Sequence, residues 1–297
     1  MCPGAARLAS VLLLAAWTLR AVAGPVSTVD ASGARIELVA PAMRIVSLAP
    51  HATELLFAAG AGAKVVGVLS PADWPPEASR VPRIGDASGI DLERIVALKP
   101  DLAVVWPYLV PTQVERLRSL GIAVFVSDPR TLQAIPEDLE RLGALAGTNA
   151  VAARAAAAFR ARLAALERRQ RGVAEVSVFY EIWPHPLYTI GGKHLITAAL
   201  ALCGGENIFA RIASPASTVG TEDVLAARPE AILAGTDDAA RPTWLDDWRR
   251  WSALPAVARG NLFVVDGNLL HRPGPRFIAG AEALCAALDQ ARAKLER

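Results

Sequence analysis

Cysteine, histidine and tyrosine are scarce in this chain: three, four and three among 297 residues. That scarcity excludes most local chemistry. The histidines, at 51, 185, 194 and 271, are never spaced as a local metal site. There is no HExxH, GxSxG or CxxC, and Gly191-Gly192-Lys193 lacks the spacing of a phosphate-binding loop. A formal charge of +2, with no basic run carrying interleaved aromatics, argues against a nucleic-acid partner. Beyond the first residues no stretch reaches about 18 apolar residues without a charge, so the mature chain is expected to be soluble.

The start reads as an export signal. Arg7 gives a positive n-region, Leu8 to Trp17 an apolar core too short to span a bilayer, and Ala21-Val22-Ala23 a small-x-small cleavage site. Residues 1–23 are expected to be removed and the product to be periplasmic. The cysteines agree. Cys2 leaves with the signal, and Cys203 and Cys285 remain as an even pair suited to an oxidising compartment. A disulfide between them would close a loop of 82 residues (285 − 203). Two separate buried thiols are the alternative.

What is present in abundance is repetition. Residues 92–105 (LERIVALKPDLAVV) and 221–234 (TEDVLAARPEAILA) match at a constant offset of 129: Glu93 with Glu222, Lys99 with Arg228, Pro100 with Pro229, Asp101 with Glu230. A second echo follows, Gly121 to Asp128 against Gly260 to Asp266. Each unit alternates helix and buried strand, the pattern of a mostly parallel α/β sheet flanked by helices. Residues 27–40 read as an antiparallel hairpin. Residues 149–171 contain no Gly or Pro and are rich in Ala, Leu, Arg and Glu, so they predict one continuous helix, capped by Thr148 or Asn149. The layout is a first lobe over 24–147, a connecting helix over 148–172 and a second lobe over 173–297. One stiff helix as connector should limit hinge motion.

Ligands of open α/β sheets sit outside the carboxyl ends of the strands. The residues there are Pro50 and His51, Trp74, Trp106 and Tyr108, Trp183 and His185, then Tyr188, Asp266, Asn268, His271 and Arg272. Tryptophan and histidine gathered at strand ends suit a cleft for a large, flat, partly apolar ligand. Singly, each has a plainer role: a strand-end Trp as rim packing, His51 as a helix cap. Trp244, Trp248 and Trp251 fall at helical spacing and read as packing. An enzyme assembled from His51, His185 and Asp266 is the reading from another class, motivated only by polar groups converging on one cleft. Glu93 and Glu222 each open a helix, where the dipole favours a carboxylate. As a matched pair they also form two anionic knobs that a two-fold membrane partner with basic pockets could engage.

The stretches SLAPHATELLFAAG, GIDLERIVALKPDLAVVW, LCGGENIF and PRFIAGAEALCAAL give the chain a family likeness. Over nearly its whole mature length it resembles the type III, helical-backbone periplasmic binding proteins. LCGGENIF and the cysteine pair point within that family to the cobalamin-binding group. The resemblance implies a monomeric, non-enzymatic receptor without cofactor, which delivers cobalamin or a related corrinoid to an ABC permease dimer with its ATPase subunits. It implies that Glu93 and Glu222 dock on permease arginines, and that Trp106, Arg272 and the turn at Pro50 line the cleft. The chain departs from the pattern at Ala87 and Ala216, which stand where a cobalamin binder carries cleft tryptophans, and at Asn268, where it carries an aspartate. Trp74, Trp183 and His185 are the candidates to compensate. Heme or a ferric siderophore is the alternative ligand, because a neutral imidazole of His51 or His185 would serve a chelated cobalt or iron.

Overall fold

The computed structural model describes residues 24–86, 88–107, 111–237 and 242–295; the predicted signal and Tyr108 lie outside them. The hairpin forms from β1 (Val26–Val29) and β2 (Arg35–Leu38), paired antiparallel. The first lobe continues with β3 (Ile45–Ser47), α1 (Pro50–Ala58), β4 (Val65–Val68), the short pair β5 (Gly85–Asp86) and β6 (Gly89–Ile90), and α2 (Leu92–Ala97). It ends with β7 (Leu102–Val105), α3 (Pro111–Ser119), β8 (Ala123–Val126) and α4 (Ala134–Ala146). Its sheet runs β4-β3-β7-β8 and is parallel throughout. Alternation along each strand feeds two cores. Ile45, Leu102, Val104 and Phe125 face the layer containing α1 and α4, while Val46, Ala103, Val105 and Val124 face α2 and α3. A sheet covered on both faces needs these near-continuous apolar strands.

The connecting helix α5 (Asn149–Arg169) is a few residues shorter than the sequence suggests, and Thr148 occupies its N-cap position without a side-chain capping bond. At about 1.5 Å per residue it is roughly 32 Å long. Ala152, Ala156, Phe159, Leu163 and Leu166 form its buried stripe. It lies so close to α4 that a Cβ on Gly143 would overlap Ala152. Arg160 pairs with Glu140 at 2.6 Å and Arg162 with Glu282 at 2.7 Å, tying the spine to both lobes.

The second lobe contains β9 (Val176–Pro184), β10 (Leu187–Ile190), α6 (Leu195–Leu202), β11 (Gly205–Asn207), β12 (Ala216–Thr218), α7 (Thr221–Ala227) and β13 (Ala231–Thr236). After them come α8 (Pro255–Ala258), β14 (Leu262–Asp266), α9 (Gly267–Leu270) and α10 (Phe277–Leu295). The sheet order is β12-β10-β9-β13-β14, with β11 beside β9. Pairs among β9, β11, β13 and β14 are parallel, whereas β10 and β12 are antiparallel, because β9 folds back on itself through a tight hairpin. The Cys203–Cys285 disulfide joins α6 to α10. It closes the 82-residue loop, a constraint worth about 4–5 kcal/mol on the chain-entropy account. Trp248 packs in the core with Trp244 and Trp251 against it, on a 3-10 turn rather than an α-helix.

The repeated sentence has a concrete structural meaning. Lys99 (φ 48) and Arg228 (φ 49) are the non-glycine residues with left-handed backbone among the described residues, and they are the matched pair, 228 − 99 = 129. Each left-handed residue stops its helix and is followed by the proline and an acid. The Asp101 carboxylate accepts from Met43 N (2.7 Å) and Arg44 N (3.1 Å), and Asp101 N donates to Arg44 O. The Glu230 carboxylate accepts from Ser177 N (3.0 Å), and Glu230 N donates to Ser177 O. In both lobes the acid thus latches the start of the next strand over. Glu230→Ala is expected to lower the urea unfolding free energy by about 1–3 kcal/mol, since it orphans the part-buried Ser177 N–H of β9, and Asp101→Ala by about 0.5–1.5 kcal/mol, since the Met43 and Arg44 N–H groups it releases are exposed to water. Glu93→Ala, on an exposed helix start, should stay within about 0.5 kcal/mol. Equal effects from all three would contradict the latch.

Candidate functional site

A cavity of ≈ 310 Å³ opens between the two sheets. From the first lobe, Trp106 after β7 and Asp128, Pro129 and Arg130 after β8 line it. From the second come Tyr188 on β10, Lys193 and His194 just beyond it, Ser214 to Ala216 before β12, and Leu270, His271 and Pro273 around the end of α9. Strand-end loops therefore build both walls, as expected of open α/β sheets.

Trp106 rests on His51. The rings meet edge to face at 4.9 Å. Pro50 is the first residue of α1, its fixed φ suiting that position, and His51 follows, 1% exposed. His51 Nε2 lies 3.3 Å from Ser127 Oγ, which donates to Asp138 Oδ2 at 2.7 Å. The serine proton is committed to the carboxylate, so the imidazole donates from Nε2. Nδ1 keeps its lone pair and has no hydrogen-bond partner among the described residues. Burial holds the ring neutral, with its pKa pushed down to about 4. Burial likewise raises Asp138, against the lowering effect of Ser127 and Arg141. His51 is thus the support behind the cleft tryptophan, one layer below the wall.

His194 lies in the wall itself. As N-cap of α6 it accepts from Ile196 N at Nδ1 (3.1 Å), which leaves Nε2–H as a donor. Burial lowers its pKa to about 4 as well. His271 stands between Tyr180 Oη, 3.2 Å from Nε2, and Asp237 Oδ1, 3.5 Å from Nδ1. A Cβ on Gly235 or Gly267 would collide with this arrangement. Both ring nitrogens of His271 are occupied, so it presents a ring edge.

Arg272 turns to the lobe junction. It pairs with Asp73 and approaches Glu54 at 3.7 Å. Arg276 grips Glu54 through Nη2 at 2.6 Å and Nε at 2.9 Å. Glu54 is 3% exposed. Desolvation raises its pKa and the Arg276 hydrogen bond lowers it. The Asp73 carboxyl is held below its usual range, chiefly by the hydrogen bond from Arg272. Arg276 also stacks on Trp74, 4.7 Å to the ring centroid, beside a separate cavity of ≈ 350 Å³. Trp74 therefore lines that junction cavity.

Trp183 is 60% exposed on the β9–β10 hairpin and bonds the His185 carbonyl at 3.1 Å. It stands opposite Tyr188 in the ladder, so the two share a sheet face. His185 is exposed at the hairpin tip. Asp266 spends its carboxylate on capping α9 through Asn268 N. The structure thus leaves His51, His185 and Asp266 in three separate surroundings. No group of three or more metal-ligating side chains occurs among the described residues. Glu93 and Glu222 are exposed in the first turns of α2 and α7, away from both cavities. Sequence reasoning passed over Asp128, Arg130, Lys193 and His194. The first two follow β8 and are open to the strand-end rule; Lys193 sits in a glycine turn without a phosphate loop's spacing, and His194 has no metal-site spacing, so neither pattern marks it.

The family described as "Periplasmic binding protein" matches residues 45–269. A "Vitamin B12-binding protein" of Vibrio campbellii is 33% identical over 255 residues, covering 86% of this chain and 92% of that protein. The crystal structure of the periplasmic vitamin B12 binding protein BtuF of Vibrio cholerae superposes with a TM-score of 0.79 at 35% identity, covering 85% of this chain and 98% of the other. The periplasmic heme-binding protein RhuT from Roseiflexus gives 0.73 at 26% identity, with 84% and 98% coverage.

The buried imidazole gives the site a pH dependence. An unfolded histidine takes its proton near 6.5, the folded His51 only near about 4. Between those values the unfolded chain binds more protons, so stability is complete above pH 6.5 and falls as pH drops towards 4. The loss from this ring is at most about 3 kcal/mol. His51→Gln should show a shallower fall across that window in chemical unfolding at stepped pH. Glu181, raised by burial to about 7, acts with the opposite sign in both proteins, so the difference between them isolates His51. Parallel curves would contradict the buried neutral ring.

Proposed function

The chain belongs to the periplasmic binding protein family, and from that premise we propose that it captures vitamin B12 or a related corrinoid in the periplasm and hands it to an ABC importer. The observation that supports this most is the cavity where Trp106 and Tyr188 approach from opposite lobes, in a chain whose relatives are vitamin B12-binding proteins. Flat aromatic faces with few polar groups suit a macrocycle. The protein contributes shape and charge and performs no chemistry. The disulfide fits an oxidising compartment, and residues 1–23 are the export signal.

In this reading Trp106 is the central contact and His51 its support. Ala216 lines the wall with a small side chain, which leaves the ligand more room. Glu93 and Glu222 are the docking knobs for the permease dimer. Heme is the second reading, because the heme-binding RhuT shares the fold at 26% identity.

Calorimetric titration with cyanocobalamin should give one-to-one binding. Hemin and a ferric siderophore, titrated in parallel, should bind more weakly. Absence of heat and of a spectral change with cyanocobalamin at about 10 μM would overturn the corrinoid reading. Trp106→Ala should weaken binding by about tenfold or more, the scale of a buried aromatic contact. The double variant Glu93→Arg/Glu222→Arg should bind ligand normally yet fail to form the transporter complex, because like charges at an interface cost several kcal/mol. Normal docking of that variant would reduce the two glutamates to ordinary helix-start residues.

A further inference from the structure

The Gly191-Gly192-Lys193 turn delivers a fixed cation to the cleft. Gly191 N donates to Pro215 O at 2.8 Å and Gly192 N to Ile212 O at 3.0 Å. A Cβ on Gly191 would overlap the Ser214 carbonyl, and one on Gly192 that of Ala210. Only glycine fits where the turn is pressed against the 210–215 segment. Thr197 Oγ1 holds Gly191 O at 2.8 Å and is itself held by Asn207 at 2.9 Å. This clamped backbone places Lys193 in the cavity wall with its side chain exposed.

Lys193 is the uncompensated charge there. Among the described residues it has no ion pair and no hydrogen-bond partner. Arg130, by contrast, is matched by Asp128 at 2.5 Å. His194 is neutral, and His271 sits beside Asp237. The rest of the wall carries no charge: Trp106, Tyr188, Leu195 and Leu270, with three prolines, Ser214 and Ala216. A broad apolar face with one fixed positive point selects a flat ligand bearing a single anionic group.

We propose that Lys193 is the specificity-determining residue of this site, pairing with the phosphodiester monoanion of a complete corrinoid's nucleotide loop. The assignment rests on the corrinoid reading above. An ammonium is a compact partner for a phosphate oxygen. A porphyrin with two propionates presents two carboxylates, and the described cleft offers one free cation for them.

The test compares the wild type, Lys193→Gln and Lys193→Arg by calorimetry with cyanocobalamin, with dicyanocobinamide, which lacks the nucleotide loop and its phosphodiester, and with hemin. At low salt Lys193→Gln should bind cyanocobalamin about tenfold more weakly than wild type, while Lys193→Arg keeps most of the affinity. The gap should narrow between about 0.05 M and 0.5 M salt, since the pair is exposed. Dicyanocobinamide should bind wild type and Lys193→Gln alike, and unchanged unfolding temperatures certify the fold of each variant. Equal cyanocobalamin affinity in wild type and Lys193→Gln, equal losses for both corrinoids, or a loss for hemin alone would overturn the assignment and leave the corrinoid reading standing. Failure of the wild type to bind either corrinoid would overturn both.

Discussion

The carboxylate of Glu54 sits where the two lobes meet, and the width of the cleft depends on it. It belongs to α1 of the first lobe, yet its oxygens are held by Arg276 of the second at 2.6 and 2.9 Å, with Arg272 at 3.7 Å reaching on to Asp73. A carboxylate this deeply buried carries a large desolvation cost, which is why its pKa is raised despite two neighbouring guanidiniums. Such a cluster adds little net stability, because Coulomb attraction and desolvation nearly cancel. Breaking it is a different matter: one buried charge left alone costs about 3–5 kcal/mol. The cluster therefore defines one spacing of the lobes and penalises others.

The spine works in the same direction. The buried stripe of α5 and the close approach of Gly143 to Ala152 join α4 to the connector without play. One hydrophobic core runs from Ile45 and Phe125 through Phe159 and Leu163 to Cys203 and Leu284. With both lobes fixed to one core, their strand ends face each other at a set distance. The Trp106 wall and the Tyr188 wall meet there, and each is braced from behind: Trp106 by His51 and the Ser127–Asp138 chain, the 191–194 turn by its glycine contacts. The cleft is preformed, so little of the binding energy need be spent on ordering it.

Much of this was legible in the sequence, for particular reasons. The 129-residue repeat announced two similar lobes, and its Lys99 and Arg228 positions carry the same left-handed backbone. The Gly- and Pro-free run at 149–171 became the spine, and Cys203 and Cys285 became a disulfide. Strand ends located Trp106 because a residue directly after a buried strand has few places to go. The same rule was weaker for Trp74, Arg272 and Trp183. Their positions are decided by long-range partners: Arg276 across Trp74, Asp73 for Arg272, the β10 hairpin for Trp183. Arg276 and Glu54 are 222 positions apart, and no local pattern marks either as the other's partner. His51 is the converse case, a residue whose place was evident and whose depth was not. Burial depends on what packs over a helix start, here Trp106 and Ser127.

The central claim is a preformed cleft that needs no large rearrangement to admit the corrinoid proposed as its ligand. Small-angle X-ray scattering of the protein alone and saturated with cyanocobalamin tests it most directly. The account predicts one-to-one saturation with the radius of gyration unchanged within about 1 Å, as for other pre-organised partners. A compaction of several ångströms on binding, or the absence of a bound state at saturating ligand, would contradict it.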